Sequence, residues 1–374
     1  MPVTAAIRSS TSASRVGVRE TAVAYFAAAV LLFGAVLWAV RAPLTEKTDF
    51  SVTYIGSRIL QEGYGPKIYD LAEQQRVRTL LLSNAEPLIY EHPPFEALLL
   101  SPLAALPYRT AYFIWGCINA LVWLSLPLLL RRYIAVPDDE LSYLALWILF
   151  APLWVALYQG QSSLMLLLVF ALAFIQLKRE NEFSAGLCLG FGLFKFQFVV
   201  PLALIFLFRR KWKFMTGFAL SAIALAALSL AAVGFGGVLS YLKLLSAIAS
   251  NPSNISFGAA TDMATVQGFV HSLLARVATP ATIRFIVAAV SAGLILATSW
   301  WWNRAERNRS GEAFDLMFAV AVVVSLVTGF HMFTHDLSPL ILAMLLVVTH
   351  FPLSAGMVRS TLKFSLVLFW IPAT

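Results

Sequence analysis

Apolar runs of near membrane length follow one another through this chain, and that repetition constrains the fold more tightly than any single motif. A bilayer core offers no water to backbone groups, so a crossing segment must be a helix of about 20 apolar residues, each adding roughly 1.5 Å. Such runs are read at 22–40, 111–130, 141–158, 163–177, 184–208, 214–234, 280–302, 314–330, 337–350 and 361–372. Composition agrees. The chain is 60% hydrophobic and 12% charged with a mean hydropathy of +0.79, where a soluble domain carries about 25% charge. The expected class is an all-α, multi-pass membrane protein with about ten or more membrane helices.

A net charge of +8 and a pI near 9.6 would point to nucleic acid in a soluble protein. Here the positive charge sits in connectors between apolar runs: Arg131 and Arg132, Lys178 and Arg179, Arg209 to Lys213, Arg304, Arg307 and Arg309, then Arg359 and Lys363. The positive-inside rule assigns these to the cytoplasm and leaves 41–110, 159–162, 235–279 and 331–336 on the outer face. The implied surroundings are the bilayer of a plasma (inner) membrane, with no nucleic acid as partner. Residues 1–20, rich in Ser, Thr, Ala and Arg, read as a disordered basic cytoplasmic tail, and 21–374 as one transmembrane domain. The run at 22–40 exceeds the roughly 7–15 residues of a signal-peptide core, so a retained helix is expected. Cys117 and Cys188 lie inside apolar runs and suggest neither a disulfide framework nor a zinc site.

One run resists a single crossing. Lys178 and Arg179 before 184–208, and the basic run after it, both belong on the cytoplasmic side. A hairpin of two short helices, 184–194 and 197–208, bent near Lys195-Phe196-Gln197, satisfies both; the alternative is one ordinary helix with Lys195 snorkelling. A lysine at that depth is costly unless it faces a partner, and the partner expected is an anion.

The outer segment 41–110 has nearly cancelling charges and its own structural signals. Thr48 or Asp49 can cap a helix running to Gln61 or Glu62, with Gly63 as its stop. Asp70 and Glu73 have capping-box spacing and open a second helix toward Leu82. An apolar segment, 95–103, ends at Pro102 and is too short to cross. Two surface helices and one partly embedded segment would form a lid over an outward cavity.

The order of motifs resembles glycosyltransferase family 87 of the GT-C superfamily. Those carrying the likeness are Thr48-Asp49-Phe50, then Gly63-Tyr64-Gly65-Pro66-Lys67-Ile68-Tyr69-Asp70, and Tyr90-Glu91-His92-Pro93-Pro94 with Ser101-Pro102-Leu103. Gly160-Gln161-Ser162, Ala185-Gly186 through Gly190 to Lys195, and His331-Met332-Phe333-Thr334-His335-Asp336-Leu337 complete it, over roughly residues 22 to 350. Phe196 departs from the pattern, standing where Pro is expected of many relatives. The resemblance implies a GT-C type fold and transfer of a sugar, mannose in the usual case, from a polyprenyl-phosphate donor on the extracytoplasmic side. That donor, polyprenol-phosphate mannose, is a substrate; no cofactor is expected. The acceptor implied is a glycolipid or polysaccharide, and a monomer is expected.

Such a transfer needs a carboxylate to take the acceptor proton and cationic or hydrogen-bonding groups for the phosphate that leaves. The resemblance makes Asp49 the base, although its position also suits a helix cap. For the phosphate the sequence offers Lys195 and His335, with Arg58 as a third. His331, His335 and Asp336 have spacing that would also suit a metal, but no fourth ligand is evident and none is expected. Residues placed to touch substrate are Tyr69, Tyr90, Glu91, His92, Gln159, Gln161, Asn254, Gln267, His331 and Asp336. Trp300, Trp301 and Trp302 read as an interfacial aromatic belt. A lipid or sugar transporter is the alternative class; it would call for inverted repeats and mid-membrane charges, whereas Lys195 is the one deeply placed charge.

Overall fold

The computed structural model describes residues 3–42, 45–82, 88–134, 140–250, 263–306 and 311–350, and among them there is no strand. Helices α1 (Val3–Arg41), α2 (Phe50–Gln61), α3 (Leu71–Leu81), α4 (Pro94–Ala104) and α5 (Tyr108–Leu130) come first. They are followed by α6 (Glu140–Leu149), α7 (Ala151–Gln159), α8 (Ser163–Lys178), α9 (Glu182–Gly190) and α10 (Phe196–Phe208). The chain continues through α11 (Trp212–Ser250), α12 (Val266–Leu274), α13 (Pro280–Glu306), α14 (Gly311–Val327) and α15 (Leu340–His350). Five stretches are long and apolar enough to cross a bilayer by themselves: Glu20–Arg41, Tyr108–Leu130, Glu182–Phe208, Trp212–Ile248 and Pro280–Glu306.

The other expected spans are shorter or divided. Residues 141–158 split into α6 and α7 at Phe150, because Pro152 enters the first turn of α7. Residues 3–20, expected as a disordered tail, continue α1 here, since nothing after Pro2 forbids helical backbone. The run at 361–372 lies outside the described residues.

Ion pairs define one end of the bundle. Lys211 lies 3.1 Å from Glu182 and 3.0 Å from Glu306, and Arg209 lies 2.9 Å from Glu306. Lys178 meets Asp315 at 2.5 Å, and Arg179 donates to the Tyr133 hydroxyl at 2.7 Å. The basic connectors that follow α5, α8, α10 and α13 therefore gather together, as a shared membrane face requires.

The same contacts resolve the ambiguous run. Glu182 opens α9 and Lys211 follows α10, so their ion pair sets both ends of the Glu182–Phe208 segment side by side. The segment doubles back on itself, so its length does not make it a single straight crossing. At 13 residues α10 is about 20 Å long, short of the roughly 30 Å hydrocarbon core. A 3-10 turn, Phe191–Lys195, joins the arms, and Lys195 breaks the helix at φ −119°, ψ 58°. Helix α11 then runs beside α9 with backbones nearly touching: a Cβ on Gly186 would sit 1.9 Å from the Phe214 carbonyl oxygen, and one on Gly217 2.0 Å from that of Phe183.

At the other end α2 packs against α3 and α4. Helix α4 runs past Pro102 to Ala104, two residues beyond the expected stop. Proline removes one amide donor, but the Leu98 carbonyl that would have received it takes the Ser101 hydroxyl at 2.8 Å instead. Helix α11 outruns its expected end at 234 as well, kinking at Gly234 (φ 66°, ψ 177°) and laying Tyr241 on Tyr69 with ring centroids 5.0 Å apart. An aromatic core at this end, with Phe50, Tyr54, Tyr90, Tyr108 and Trp115, is separate from the larger core around Trp123, Phe170 and Phe318.

Candidate active site

Asp49 stands at the cap position of α2 but does not cap it. Its backbone is already helical (φ −62°, ψ −24°), and its side chain bonds no α2 amide. The carboxylate instead accepts a hydrogen bond from Gln161 Nε2 at 2.7 Å, while the Asp49 backbone N–H donates to Gln159 Oε1 at 3.2 Å. Asp70, by contrast, is a true cap, accepting from the amides of Ala72 and Glu73 at 2.8 and 3.3 Å.

The two glutamines reach Asp49 because of Gly160 between them. Helix α7 stops there in the left-handed region (φ 63°), and a Cβ would fall 2.7 Å from the Phe50 Cβ. The Gly160 carbonyl also receives the Trp115 indole N–H at 2.7 Å. A turn without side-chain bulk is thus pressed onto the start of α2.

From the hairpin bend, the Lys195 ammonium contacts the Asp336 carboxylate and donates to Gln161 Oε1 at 3.2 Å. Lys195 is 4% exposed and Asp336 1%, so each charge depends on the other. Asp336 also accepts from Ser163 Oγ at 3.2 Å and from the Phe333 amide at 3.1 Å. Burial alone would raise its carboxyl pKa, but the charges of His335 and Lys195 outweigh burial and hold it well below the usual carboxylate range. The His335 ring bridges two acids, with Nε2 3.4 Å from Asp336 and Nδ1 3.9 Å from Asp49. Asp49, Gln161, Lys195, His335 and Asp336 are therefore one connected group.

Glu91, His92 and His331 share its field. Burial pushes the Glu91 carboxyl up to about 7; His92 and Lys195 pull it down, Asp336 and Asp49 push it further up. Burial lowers His331 to about 4, which keeps that imidazole neutral. His331 stands edge-on to Phe333, with centroids 4.5 Å apart, in a stretch that is not helical, so it and His335 do not share a helix face. Among the described residues no His, Cys, Asp and Glu group is suited to hold a metal ion.

Other expected residues serve elsewhere. Tyr90 is 1% exposed; its hydroxyl donates to the Pro93 carbonyl at 3.0 Å and accepts from the Ala97 amide at 3.1 Å. The Tyr69 hydroxyl donates to the His92 carbonyl at 2.7 Å. Both tyrosines brace the 91–93 loop through these hydrogen bonds, and the Tyr69 ring stacks on Tyr90 and Tyr241. Arg58 binds Glu62 at 2.9 Å and the Ala104 carbonyl at 3.1 Å, tying α2 to the end of α4. Gln267 lies on the first turn of α12, whose packing partner is α13, and has no hydrogen bond to this group among the described residues. Asn254 lies outside the described residues. Two participants escaped the sequence reading: Ser163, and Glu96, whose Oε2 lies 2.6 Å from His92 Nδ1.

Apolar helices with basic connectors at one end and a connected acid, amide, lysine and histidine group at the other define a multi-pass membrane protein with a largely buried polar cluster near one end of the bundle. The chain matches the model of Glycosyltransferase family 87 over residues 90–329, well over half its length, and belongs to that family; it is a membrane glycosyltransferase. No curated protein and no solved structure matches it. Glu91, His92, Gln161 and Lys195 fall within the matched residues, while Asp49, His335 and Asp336 join the group from outside them.

Proposed function

We propose that the protein transfers mannose from a polyprenyl-phosphate donor to an acceptor hydroxyl on the extracytoplasmic face, with inversion at the anomeric carbon. The donor enters laterally, its tail between helices and its phosphate at Lys195 and His335. A lysine ammonium has three N–H donors. Asp336 and Gln161 engage Lys195, which leaves a donor for a phosphate oxygen. Low local dielectric strengthens that contact. Asp49 takes the acceptor proton as the acceptor oxygen bonds the anomeric carbon; the bond to the phosphate oxygen breaks on the opposite face, and its electron pair stays with the phosphate. A single displacement of this kind gives an α-linkage from a β-linked donor. Glu91 and His331 line the route of the sugar.

The observation that carries this reading is the Asp49 carboxylate, relieved of capping, 30% exposed, and joined through Gln161 to a buried lysine. The test uses the full-length protein in liposomes with labelled polyprenol-phosphate mannose, polyprenol-diphosphate mannose and a nucleotide-linked mannose. Transfer from the first alone, on the lumenal side of oriented vesicles, is expected. Transfer from the nucleotide sugar would overturn the proposal.

A further inference from the structure

The loop entering α4 carries a second proton-active pair that the proposed mechanism leaves idle. His92 Nδ1 lies 2.6 Å from Oε2 of Glu96, one turn further on, and Glu96 is 6% exposed. A carboxylate this close to one imidazole nitrogen favours the ring's protonated form by charge. The ring rests on Tyr90, with centroids 5.7 Å apart, and the His92 carbonyl is held by the Tyr69 hydroxyl at 2.7 Å. His92 is thus braced on three sides. Its side chain keeps 19% exposure, and Nε2 is the ring nitrogen not committed to Glu96.

The charged groups acting on this ring are Glu96 on α4, Glu91 beside it in the loop, and Lys195 from the hairpin bend; His331 in the α14–α15 connector feels the His92 charge in turn. Lys195 acts on both His92 and the adjacent Glu91, so this loop lies within the electrostatic reach of the group where the donor phosphate is expected. Burial opposes charge on the imidazole, as does Lys195, but Glu96 and Glu91 outweigh them and raise its pKa above the ordinary histidine value.

We propose that His92 is the general acid of the transfer, its Nε2–H bonding the donor phosphate and giving its proton to the oxygen that separates from the anomeric carbon, with Glu96 as the positioning residue behind it. This rests on the reading of the chamber as the site of a lipid-phosphate sugar. The step balances. The acceptor hydroxyl gives its proton to Asp49, its oxygen forms the new glycosidic bond, and the old bond's electron pair passes to the phosphate oxygen, which His92 protonates. Asp49 then returns a proton to water and His92 regains one, so the lipid phosphate departs as a monoanion with no net proton change.

Leaving-group chemistry tests it. Mannosyl aryl phosphates with increasingly electron-withdrawing rings need progressively less protonation to depart. The full-length protein in liposomes is assayed with polyprenol-phosphate mannose and with this series. His92→Asn is expected to lower kcat by about 100-fold with the lipid donor. That deficit should shrink to a few-fold with the nitrophenyl phosphate donor. The wild-type fall in kcat at alkaline pH should vanish in His92→Asn and move to lower pH in Glu96→Gln, with little change in donor KM. Should His92→Asn misfold, His92→Gln carries the same series. A deficit that stays constant across donors, or unchanged pH profiles, would overturn the assignment. Failure of the underlying donor reading registers differently, as no transfer by the wild type from any phosphate-linked mannose.

Discussion

Gln161 donates to the Asp49 carboxylate at 2.7 Å across 112 residues of chain. Its other amide atom accepts from Lys195, so the NH₂ end faces the acid and the oxygen faces the cation. The proposed base and the proposed phosphate site are linked through one side chain. A hydrogen bond to a charged group contributes about 1.5–3 kcal/mol, roughly a 10- to 100-fold effect. Gln161→Leu should lower kcat within that range while donor binding changes less. Steady-state kinetics in liposomes check this, and an unchanged kcat would dissolve the link.

Lys195 and Asp336 bury opposite charges against each other. Breaking such a pair from one side strands the partner at a cost of about 3–5 kcal/mol. Lys195→Met should therefore unfold at markedly lower temperature in detergent. Adding Asp336→Leu should recover most of the lost stability without recovering transfer, because the double variant removes the stranded charge and not the need for a cation at the phosphate. Recovered transfer would mean that Lys195 serves structure alone.

Gly160 lies at φ 63° with Phe50 close above it. An alanine there meets a left-handed backbone penalty of about 1–2 kcal/mol and must also displace Phe50. Gly160→Ala should lose that much stability by denaturation and lose transfer more than proportionately, since Gln161 and Asp49 sit on the two displaced segments.

Glu91 offers a pH-dependent prediction. Its folded pKa, pushed up to about 7, stands above the ordinary glutamate value of 4.5. The folded state thus binds this proton more tightly than the unfolded one; the resulting stability is full below the ordinary value and lost as pH rises through about 7. Glu91→Gln mimics the protonated acid. Its thermal stability should match wild type near pH 4 and exceed it by a few degrees near pH 8.5, and equal curves at both pH values would contradict the shift.

Much of the chamber was legible in the sequence because membrane topology restricts so strongly where polar groups can go. Charge bias on both sides of 184–208 required a return, and the structure bends there at Lys195. Asp49, Gln161 and His335 each follow or precede an apolar run on the same side, so their meeting follows from that alternation. What the sequence did not show depended on packing among α2, α3 and α4. Arg58 has Glu62 four residues on, a helical pairing signal that the structure realises as an ion pair. Glu96 stands at the same spacing from His92 and could have been found that way, but its apolar neighbours disguised it as part of an embedded helix. Nothing local to Tyr69 and Tyr90 showed that the Tyr69 ring would stack on Tyr90 and on Tyr241, which lies beyond the Gly234 kink.

The central claim is that Asp49 removes the acceptor proton. Single-turnover transfer from labelled polyprenol-phosphate mannose, with donor binding measured on the same liposomes, tests it in wild type and Asp49→Asn. Asparagine keeps the size of the side chain and can still bond Gln161 while removing the base, so the chemical step should slow by about 10²- to 10⁴-fold with donor affinity within a few-fold. Transfer by Asp49→Asn at the wild-type rate would contradict the account.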